Sequence, residues 1–461
     1  MIGHFYYAPF RDGMLMTNDT GRYAFLSQEE FKMFINEDDR LDSEFRDILD
    51  EDGFCFSDSV EGYIRRNKDA VRDANSYLLT GTSLFILAVT NACNYRCVYC
   101  QANGMSEVHH MSREVAEQAL QRIKDAPSSD ITIEFQGGEP LLNYDVIRYI
   151  VLRGQELLCN KKVQYTVVSN LSLLTEEMTD FFKENKVTVS TSIDGPEELH
   201  DYNRPEVGGK GSFRDTLRGI EMLKAKGIVP GAIQTSTARS LDYANEIVDE
   251  YVRLGFGQVF LRPLTRLGAA ARRWDQVGYD ADQFLAFYRK ALDRVLEYNL
   301  KGVPVKEYHA SLFLSKILFG QALNYMELRS PCGAGIGQVA ITANGNVYTC
   351  DEGRMMAEAG DEAFCLGNVF DHDYDDWIHS SCCEAICSAS LLDTLPGCCD
   401  CVYKPYCGVC PVVNYAIYGN IMHVSSERCK IYKGILDILF GFIKDRDEKI
   451  VKILEDWGRQ A

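Results

Sequence analysis

The sequence predicts an α/β protein whose largest part is an incomplete (β/α)6 barrel. Three observations carry this prediction. Short apolar strands alternate with helices from Ser83 to Thr265, a pattern typical of a parallel sheet. Motifs rich in cysteine, glycine and acidic residues follow these strands, at the end where barrel sites lie. Twelve of the 17 cysteines fall between Pro331 and Cys429, which indicates a second domain built around metal.

Composition and charge restrict the class of protein. With 461 residues and 46% hydrophobic side chains, the chain can bury the cores of two or three domains. A formal net charge of −19 argues against nucleic acid as a partner. No signal-peptide pattern and no run of ~18 apolar residues is present, so no membrane association is expected. Many cysteines in a long chain indicate the reducing cytoplasm and no disulfide scaffold.

Residues 1–75 are predicted to form a small winged-helix-like module. Met14–Leu26 reads as two short strands around the turn Asn18-Asp-Thr-Gly. Ser27 and Glu30 have the spacing of a capping box, and a second helix is predicted near Asp42–Asp50. An exposed strand edge in such a module can bind a peptide as an added strand. A packing appendage without a partner is the alternative.

Residues 83–265 are predicted to form the barrel. The predicted strands are Leu84–Val89, Ile131–Phe135, Val163–Val168, Val187–Ile193, Gly231–Thr235 and Gln258–Leu261. The predicted helices are Ser112–Lys124, Tyr144–Leu157, Thr175–Lys183, Ser212–Lys226 and Leu241–Leu254. In such folds the site lies at the carboxyl ends of the strands. Four motifs follow the first four strands: Cys93–Cys100, Gln136–Pro140, Ser169-Asn170 and Ser192–Pro196.

The loop after the first strand carries C-x3-C-x2-C, with thiols at Cys93, Cys97 and Cys100. Thiolates favour soft metal centres, and four of them normally hold an iron–sulfur cube. Three thiolates leave one iron open to a ligand that is not protein. The motif therefore indicates chemistry at an open iron, and a structural metal loop is the alternative.

The remainder of the chain divides into three predicted parts. Residues 266–330 form a helical bridge with helices over Ala281–Tyr298 and Lys306–Leu318, and residues 431–461 form an amphipathic terminal helix. Residues 331–430 form the metal domain. Its ordered cysteines are Cys332, Cys350, Cys398, Cys401, Cys407, Cys410 and Cys429. Paired C-x2-C motifs also bind zinc, so zinc is an alternative metal here.

The triad, the aromatic Tyr99 and the Gln136-Gly-Gly-Glu-Pro140 motif resemble those of the radical S-adenosylmethionine superfamily. The resemblance implies a TIM-like partial barrel, a [4Fe-4S] cluster on the triad and S-adenosylmethionine on its open iron. Reductive cleavage of that cofactor then gives a 5′-deoxyadenosyl radical, and the cofactors carry the hard chemistry. The implied cofactor-binding residues are Tyr99, Gly137, Gly138, Glu139, Asn170, Ser192 and Leu261.

The resemblance gives each of these residues a role. The two glycines let the backbone approach the ligand, and Glu139 receives the methionyl ammonium. Ser192 touches the ribose, with Asn170 as a second candidate, and Tyr99 and Leu261 lie near the adenine. Capping of strand ends is the alternative role for Ser192 and Asn170.

The later cysteines resemble the SPASM domain, an auxiliary-cluster module of peptide-modifying radical enzymes. This implies two auxiliary [4Fe-4S] clusters. The distal ligands would be Cys398, Cys401, Cys407 and Cys429, and the proximal ligands would be Cys332, Cys350 and Cys410. Two residues separate Cys407 from Cys410, where the family has three. The fourth proximal ligand stays open between Cys365, Cys387, the Cys382-Cys383 pair, a substrate thiolate and water, and Cys399 is unassigned.

Asp351 directly follows Cys350. Anaerobic sulfatase maturases also carry Cys-Asp at this point, and the resemblance implies that Asp351 is a catalytic base. A hydrogen bond to nearby backbone is the alternative role.

Three segments are similar to maturases of His-Xaa-Ser repeat peptide systems: Asn18–Leu26, Tyr348–Met355 and Cys407–Pro411. The similarity implies hydrogen abstraction from a ribosomally made peptide, giving a crosslink or another modification. Its partners would be a precursor whose leader binds residues 1–75 and a reductant such as flavodoxin or ferredoxin. Two alternatives stay open: a sulfatase-type maturase that forms formylglycine, and a non-catalytic iron–sulfur or zinc scaffold.

Overall fold

The computed structural model describes residues 1–102 and 107–459. Its N-terminal module is a three-stranded antiparallel sheet in the order β1-β2-β3, followed by three helices. These elements are β1 (Tyr6–Phe10), β2 (Gly13–Thr17), β3 (Tyr23–Ser27), α1 (Gln28–Ile35), α2 (Ser43–Glu51) and α3 (Val60–Ala74). The capping box is confirmed, since Ser27 Oγ accepts from the Glu30 amide at 3.2 Å and the Glu30 carboxylate accepts from the Ser27 amide at 2.7 Å.

The prediction of two strands in this module missed β1. Pro9 lies within β1, which is an edge strand, where proline is tolerated. The long helix α3 was also not predicted. None of its residues is buried, so its apolar side chains do not face a core.

The barrel is confirmed as six parallel strands in the order β10-β8-β7-β6-β5-β4. The strands are β4 (Leu84–Thr90), β5 (Asp130–Gly137), β6 (Lys162–Val168), β7 (Thr188–Ser192), β8 (Gly231–Thr235), β9 (Gln258–Val259) and β10 (Leu261–Arg262). The helices between them are α4 (Arg113–Asp125), α5 (Tyr144–Leu157), α6 (Glu176–Glu184), α7 (Glu197–Asn203), α8 (Phe213–Ala225) and α9 (Ala244–Arg253). The sixth predicted strand is divided, because β9 pairs outside the barrel.

The bridge between barrel and C-terminal domain is helical. Its elements are α10 (Gly268–Arg272), α11 (Trp274–Val277), α12 (Ala281–Leu300), β11 (Lys306–Glu307) and α13 (Tyr308–Phe319). The helix predicted from Lys306 begins two residues later, because β11 pairs with β9. Glu307 then caps α13, and its carboxylate accepts from the Ala310 amide at 2.6 Å.

The cysteine-rich domain continues the sheet of the barrel. Strand β12 pairs in parallel with β4, and the hairpin partners β13 and β14 complete a nine-stranded sheet. The elements are β12 (Gln338–Ile341), β13 (Asn346–Tyr348), α14 (Asp351–Glu358), β14 (Cys365–Asn368), α15 (Tyr374–Ile378), α16 (Ser381–Ala389) and α17 (Pro411–Tyr418). One apolar core therefore extends across the two parts, from Phe85 to Val347.

The C-terminal segment forms two helices, where the sequence predicted one. They are α18 (Ser426–Asp445) and α19 (Glu448–Arg459), separated at Arg446, whose φ is 54°. Helix α18 begins within the cysteine-rich part and contains Cys429. Within residues 1–102 and 107–459, no helix combines the length and apolar character needed to cross a bilayer.

Candidate active site

The cysteine loop after β4 is held by backbone hydrogen bonds to two other segments. The Arg96 amide donates to the Pro205 carbonyl at 2.7 Å, and the Val98 amide donates to the Asn203 carbonyl at 2.8 Å. On its other side, the Ala269 amide donates to the Cys100 carbonyl at 2.8 Å. Because partners from two distant parts of the chain fix it, the loop presents its thiols in a preorganised arrangement.

The glycines of the Gln136–Pro140 motif contact this loop. A Cβ on Gly137 would lie 1.9 Å from the Thr90 carbonyl oxygen, and one on Gly138 would lie 2.2 Å from the Ala92 carbonyl oxygen. Gly137 also has a φ of 143°, which side chains rarely adopt. The two glycines therefore admit the backbone of the cysteine loop, and their predicted approach to the ligand stays a prediction.

Glu139 is buried, with 1% of its surface exposed. Its Oε1 accepts from Ser169 Oγ at 2.7 Å and from the Leu141 amide at 3.0 Å, and its Oε2 accepts from the Asn170 amide at 2.8 Å. Burial raises the pKa of this carboxyl, while the three donors lower it. Oε2 retains acceptor capacity for a further donor, which fits the predicted role toward an ammonium.

A chain of hydrogen bonds runs behind the triad. Arg204 Nη1 donates to the Tyr99 hydroxyl at 2.7 Å, and that hydroxyl donates to Asp194 Oδ2 at 2.8 Å. Arg204 interacts electrostatically with Cys97 as well as with Asp194. Asp194 was not among the predicted site residues, although Ser192-Ile-Asp-Gly-Pro196 was singled out. The signal was its position at the end of β7.

The other predicted cofactor residues lie at strand ends. The Ser192 hydroxyl, at the end of β7, has no side-chain hydrogen bond within the described residues. The Asn170 amide group donates to Asn94 Oδ1 at 2.9 Å, next to the triad. Leu261 is fully buried in the main core, while Tyr99 belongs to a separate apolar cluster with Leu264. The structure therefore does not place Tyr99 and Leu261 in one cluster.

The later cysteines form two sets. Cys332, Cys350 and Cys410 lie in one buried apolar cluster with Val413. The four distal thiols Cys398, Cys401, Cys407 and Cys429 interact electrostatically with one another. These two groups have the same members as the predicted proximal and distal ligand sets, and their ligation of clusters stays a prediction.

Comparisons with known proteins fit this arrangement. The sequence profile described as "Radical SAM superfamily" matches residues 87–240. An uncharacterized protein of Methanocaldococcus jannaschii is 35% identical over 178 residues, which are 39% of this chain and 61% of that protein. The radical SAM cyclopropyl synthase TigE of Paramaledivibacter caminithermalis is 24% identical over 431 residues, 86% of this chain and 82% of that protein. Residues 87–240 of this chain belong to the radical SAM superfamily.

Further relatives extend the likeness beyond the barrel. The cysteine-type anaerobic sulfatase-maturating enzyme of Clostridium perfringens is 26% identical over 282 residues, 58% of this chain and 74% of that enzyme. The structure of native anSMEcpe with bound AdoMet and Cp18Cys peptide has a TM-score of 0.67 at 21% identity, covering 81% of this chain and 99% of that chain. The structure of Streptococcus suis SuiB bound to the precursor peptide SuiA has a TM-score of 0.56 at 14% identity, covering 92% and 98%. At these identities the two structures show the fold.

Radical SAM proteins use a [4Fe-4S] cluster and S-adenosylmethionine, and the residues present fit both. Burial raises the pKa of the Cys93 thiol to about 11 and that of Cys100 to about 12. Cluster binding would thus release protons, as metal binding to thiols does. Among the described residues, no three His, Cys, Asp or Glu side chains converge on a single ion. An iron–sulfur cube does not require such convergence, because each thiolate binds a different iron.

Four further cysteines lie in two interacting pairs, Cys383 with Cys387 and Cys382 with Cys365. The first pair lies near the proximal set, because a Cβ on Gly335 would be 2.5 Å from Cys383 Sγ and Arg329 interacts with both Cys332 and Cys387. The fourth proximal ligand stays a prediction with the alternatives given above. The carboxyl group of Glu352 interacts electrostatically with all three proximal thiols, Cys332, Cys350 and Cys410.

Asp351 lies in the first turn of α14 and forms an ion pair with buried Arg354. Arg354 Nε donates to Asp351 Oδ1 at 2.9 Å, and Arg354 Nη2 donates to the same oxygen at 2.5 Å. The other edge of this guanidinium donates to Glu358 at 2.6 Å. Asp351 therefore has a charged side-chain partner, and its role as a base stays a prediction.

Helix α14 faces the interior of the barrel. On β5, Ile133 and Phe135 pack into the core, so Glu134 and Gln136 face the opposite side of the strand. Arg354 Nη2 reaches Gln136 Oε1 at 3.5 Å. On the edge strand β10, Arg262 Nη2 lies 3.8 Å from Glu352 Oε1. The helix that follows Cys350 thus contacts polar residues of β5 and β10.

Proposed function

We propose that the protein is a radical S-adenosylmethionine enzyme that abstracts hydrogen from a residue of a ribosomally made peptide. The observation that carries the proposal is the position of helix α14. This helix begins at the proximal thiol Cys350 and meets inward-facing barrel residues through Arg354 and Glu352. A protein that only stores electrons needs no such contact between an auxiliary thiol set and a barrel interior.

The chain's own residues would position and protect the reacting groups. When bound, the cluster and S-adenosylmethionine supply a 5′-deoxyadenosyl radical that abstracts hydrogen. Buried Glu139 would hold the methionyl ammonium through Oε2, and Arg204 would offset the negative charge of the triad. Burial of the loop, where Tyr99 is 6% exposed, keeps water away from the radical.

The names of similar proteins support a peptide as the substrate class. SuiB is described with a precursor peptide and anSMEcpe with the Cp18Cys peptide. TigE is named a cyclopropyl synthase. The product proposed for the present chain is a peptide with a crosslink or another modification. A reductant such as flavodoxin or ferredoxin would supply the electrons.

Cleavage of S-adenosylmethionine tests the proposal. Anaerobic reconstitution with iron and sulfide, followed by dithionite and S-adenosylmethionine, should yield 5′-deoxyadenosine measurable by chromatography. Cys97→Ala should abolish that yield, because it removes one of three ligands. Cys159→Ala is the matched control, since Cys159 is exposed and outside all thiol sets. A Cys97→Ala protein that retains cleavage would contradict the proposal, and absence of equilibrium S-adenosylmethionine binding would favour the non-catalytic scaffold.

Residues 1–75 are proposed to bind the leader of the precursor. Val60, Ile64 and Val71 lie on one face of α3 and are 53%, 56% and 36% exposed. Their spacing places them within one apolar stripe, which fits recognition of a peptide by packing. Ile64→Glu should weaken binding of a precursor peptide that carries a leader and leave 5′-deoxyadenosine formation intact. Equal binding by both proteins would argue for a packing appendage.

A second candidate function is that of a sulfatase-type maturase. The Cys350-Asp351 pair and the similarity to the Clostridium perfringens enzyme favour it. A sulfatase-derived cysteine peptide should then lose mass as formylglycine forms, detected by mass spectrometry. If the peptide is unchanged while 5′-deoxyadenosine accumulates, this candidate is excluded and the broader proposal stands.

A further inference from the structure

The turn between β2 and β3 is fixed by hydrogen bonds to its first residue. Asn18 Oδ1 accepts from the Thr20 and Arg22 amides, both at 3.2 Å, and from Thr20 Oγ1 at 2.7 Å. Asn18 Nδ2 donates to the Asp52 carbonyl at 2.8 Å. Gly21 has a φ of 78°, a conformation that glycine adopts without strain. The turn therefore has one defined shape within the N-terminal module.

The segment between Cys401 and Cys407 lies against this turn. We name residues 402–406 the distal loop, since they join two predicted distal ligands. Thr17 Oγ1, at the end of β2, donates to the Val402 carbonyl at 2.6 Å. Both residues are buried, and Val402 directly follows Cys401. One end of the distal loop is thus fixed next to a thiol.

The other end of the distal loop is fixed in the same way. The Tyr406 hydroxyl donates to the Gly21 carbonyl at 2.9 Å, and the Tyr406 side chain is fully buried. Tyr406 directly precedes Cys407. Removing the donor of such a bond is unfavourable, because the acceptor is left without a partner. The hydroxyl therefore restricts where the Cys407 thiol can lie.

A charged group attaches the middle of the distal loop to the N-terminal module. Lys404 Nζ donates to the Tyr6 hydroxyl at 2.6 Å and lies 3.5 Å from Asp19 Oδ1. The Tyr6 hydroxyl in turn donates to Asp19 Oδ1 at 2.5 Å. Because only 12% of the Lys404 side chain is exposed, salt screens this ion pair weakly. The distal loop is thus attached to the module at both ends and at its centre.

The position of these contacts argues for a role beyond attachment of an appendage. A module that only packs against the rest of the protein could do so on any surface. Here the contacts fall on five residues between two thiols, and the contacts of Thr17 and Tyr406 each involve a residue next to a thiol. Groups behind the ligands orient a metal centre, and they set the reduction potential of an iron–sulfur cluster.

We infer that the N-terminal module holds the distal loop in place, and that Thr17 and Tyr406 are positioning residues for the distal cluster. The inference rests on the predicted cluster at the distal thiols and does not depend on the identity of the substrate. It gives residues 1–75 a role that is separate from recognition of a leader.

Electron paramagnetic resonance during a reductive titration of the reconstituted protein tests the inference. The signal that Cys398→Ala removes or alters belongs to the distal set. Thr17→Val removes one hydroxyl at nearly constant size, and Tyr406→Phe removes the other. Each should shift the midpoint potential of the distal signal and leave the triad and proximal signals unchanged. The double variant should lose about four irons per chain, the content of one [4Fe-4S] cluster.

Two controls separate positioning from general instability. Thr17→Ser keeps the hydroxyl and should retain the wild-type distal signal. Tyr7→Phe changes an exposed tyrosine of β1 that packs on Phe31, and it should be silent. An unchanged distal signal in both Thr17→Val and Tyr406→Phe overturns the inference, as does an equal loss of iron from all three thiol sets. A wild-type protein without a distal cluster also overturns it, and 5′-deoxyadenosine formation by that protein would leave the proposed function standing.

Discussion

Arg204 carries a positive charge next to several buried groups that are negative when the cluster is bound. It interacts electrostatically with all three triad thiols and with Asp194. Its guanidinium also lies 6.0 Å from the centre of the Tyr99 ring. Bringing thiolates into a buried loop is unfavourable unless a positive charge compensates them.

We predict that Arg204→Met lowers the iron content of the triad. Without the guanidinium the thiols deprotonate less readily, so cluster assembly should also require a higher pH. Iron per chain after reconstitution at pH 7 and pH 8.5 measures both effects. Arg239→Met is the control, because Arg239 pairs with Glu198 at the surface. Equal iron in the Arg204→Met and Arg239→Met proteins would contradict the prediction.

Single residues could be predicted where the spacing of residues within a motif identifies them. The triad follows from motif spacing, whereas Glu139 and the two later thiol sets came from the resemblance to known families. The structure brings the members of each thiol set together. The Tyr99–Asp194 contact was not predictable, because 95 residues separate the partners. Nor did the sequence distinguish ligand from loop as the neighbour of Gly137 and Gly138.

At the scale of the element, strands and helices with strong periodicity were predicted closely. Five of the six barrel strands agree within two residues at each end, because buried apolar runs bounded by polar turns identify them. The sixth is divided, since β9 finds its partner β11 in the bridge. Such pairing depends on tertiary contacts that local sequence does not encode.

Helix α13 owes its start to Glu307, and this makes it sensitive to pH. The Glu307 carboxylate accepts from the Tyr288 hydroxyl at 2.6 Å and from the Leu261 amide at 3.2 Å, which links α12, α13 and β10. Burial raises the pKa of this carboxyl to about 7. The pKa of the same carboxyl in the unfolded state is ~4.3. Between these two pH values the native state therefore holds a proton that the unfolded state has already released.

We predict that the Glu307 carboxyl lowers the free energy of unfolding as the pH rises from about 5 to about 7. Between the unfolded and folded pKa values the native state binds the extra proton, so its contribution falls by about 1.4 kcal/mol per pH unit. Glu307→Gln removes the ionisation and should remove this slope. The urea midpoint of the apoprotein at pH 5.5 and 7 measures it. A Glu307→Gln protein with the slope of the wild type would contradict the assignment.

At the scale of the whole molecule, barrel and cysteine-rich domain share one sheet. The parallel pairing of β12 with β4 places Val339 opposite Phe85, and both side chains are fully buried. Sequence reasoning placed a domain boundary near residue 331 and had no signal for this pairing, because β4 ends at Thr90 and β12 begins only at Gln338. The two parts are expected to unfold together.

We predict that Val339→Asp disrupts both parts at once. An unpaired carboxylate in this core costs several kcal/mol. Iron bound by the triad and by the proximal set should fall together, and limited proteolysis should cut on both sides of β12. Gln164→Asp introduces the same charge at an exposed position of β6 and should be silent. Loss of auxiliary iron alone would show that the two parts fold independently.

Strand β4 connects the cysteine triad to the cysteine-rich part of the chain. The cysteine triad follows its carboxyl end, and the segment after Cys332 pairs beside its amino end through β12. Seven residues at ~3.3 Å each span roughly 20 Å, with no hinge between the two ends. Adding one residue within Leu84–Leu87, where β4 pairs regularly with β12, would turn the side chains that follow it to the opposite face. The pairing of one short strand therefore fixes how the segment after Cys332 lies relative to the cysteine triad.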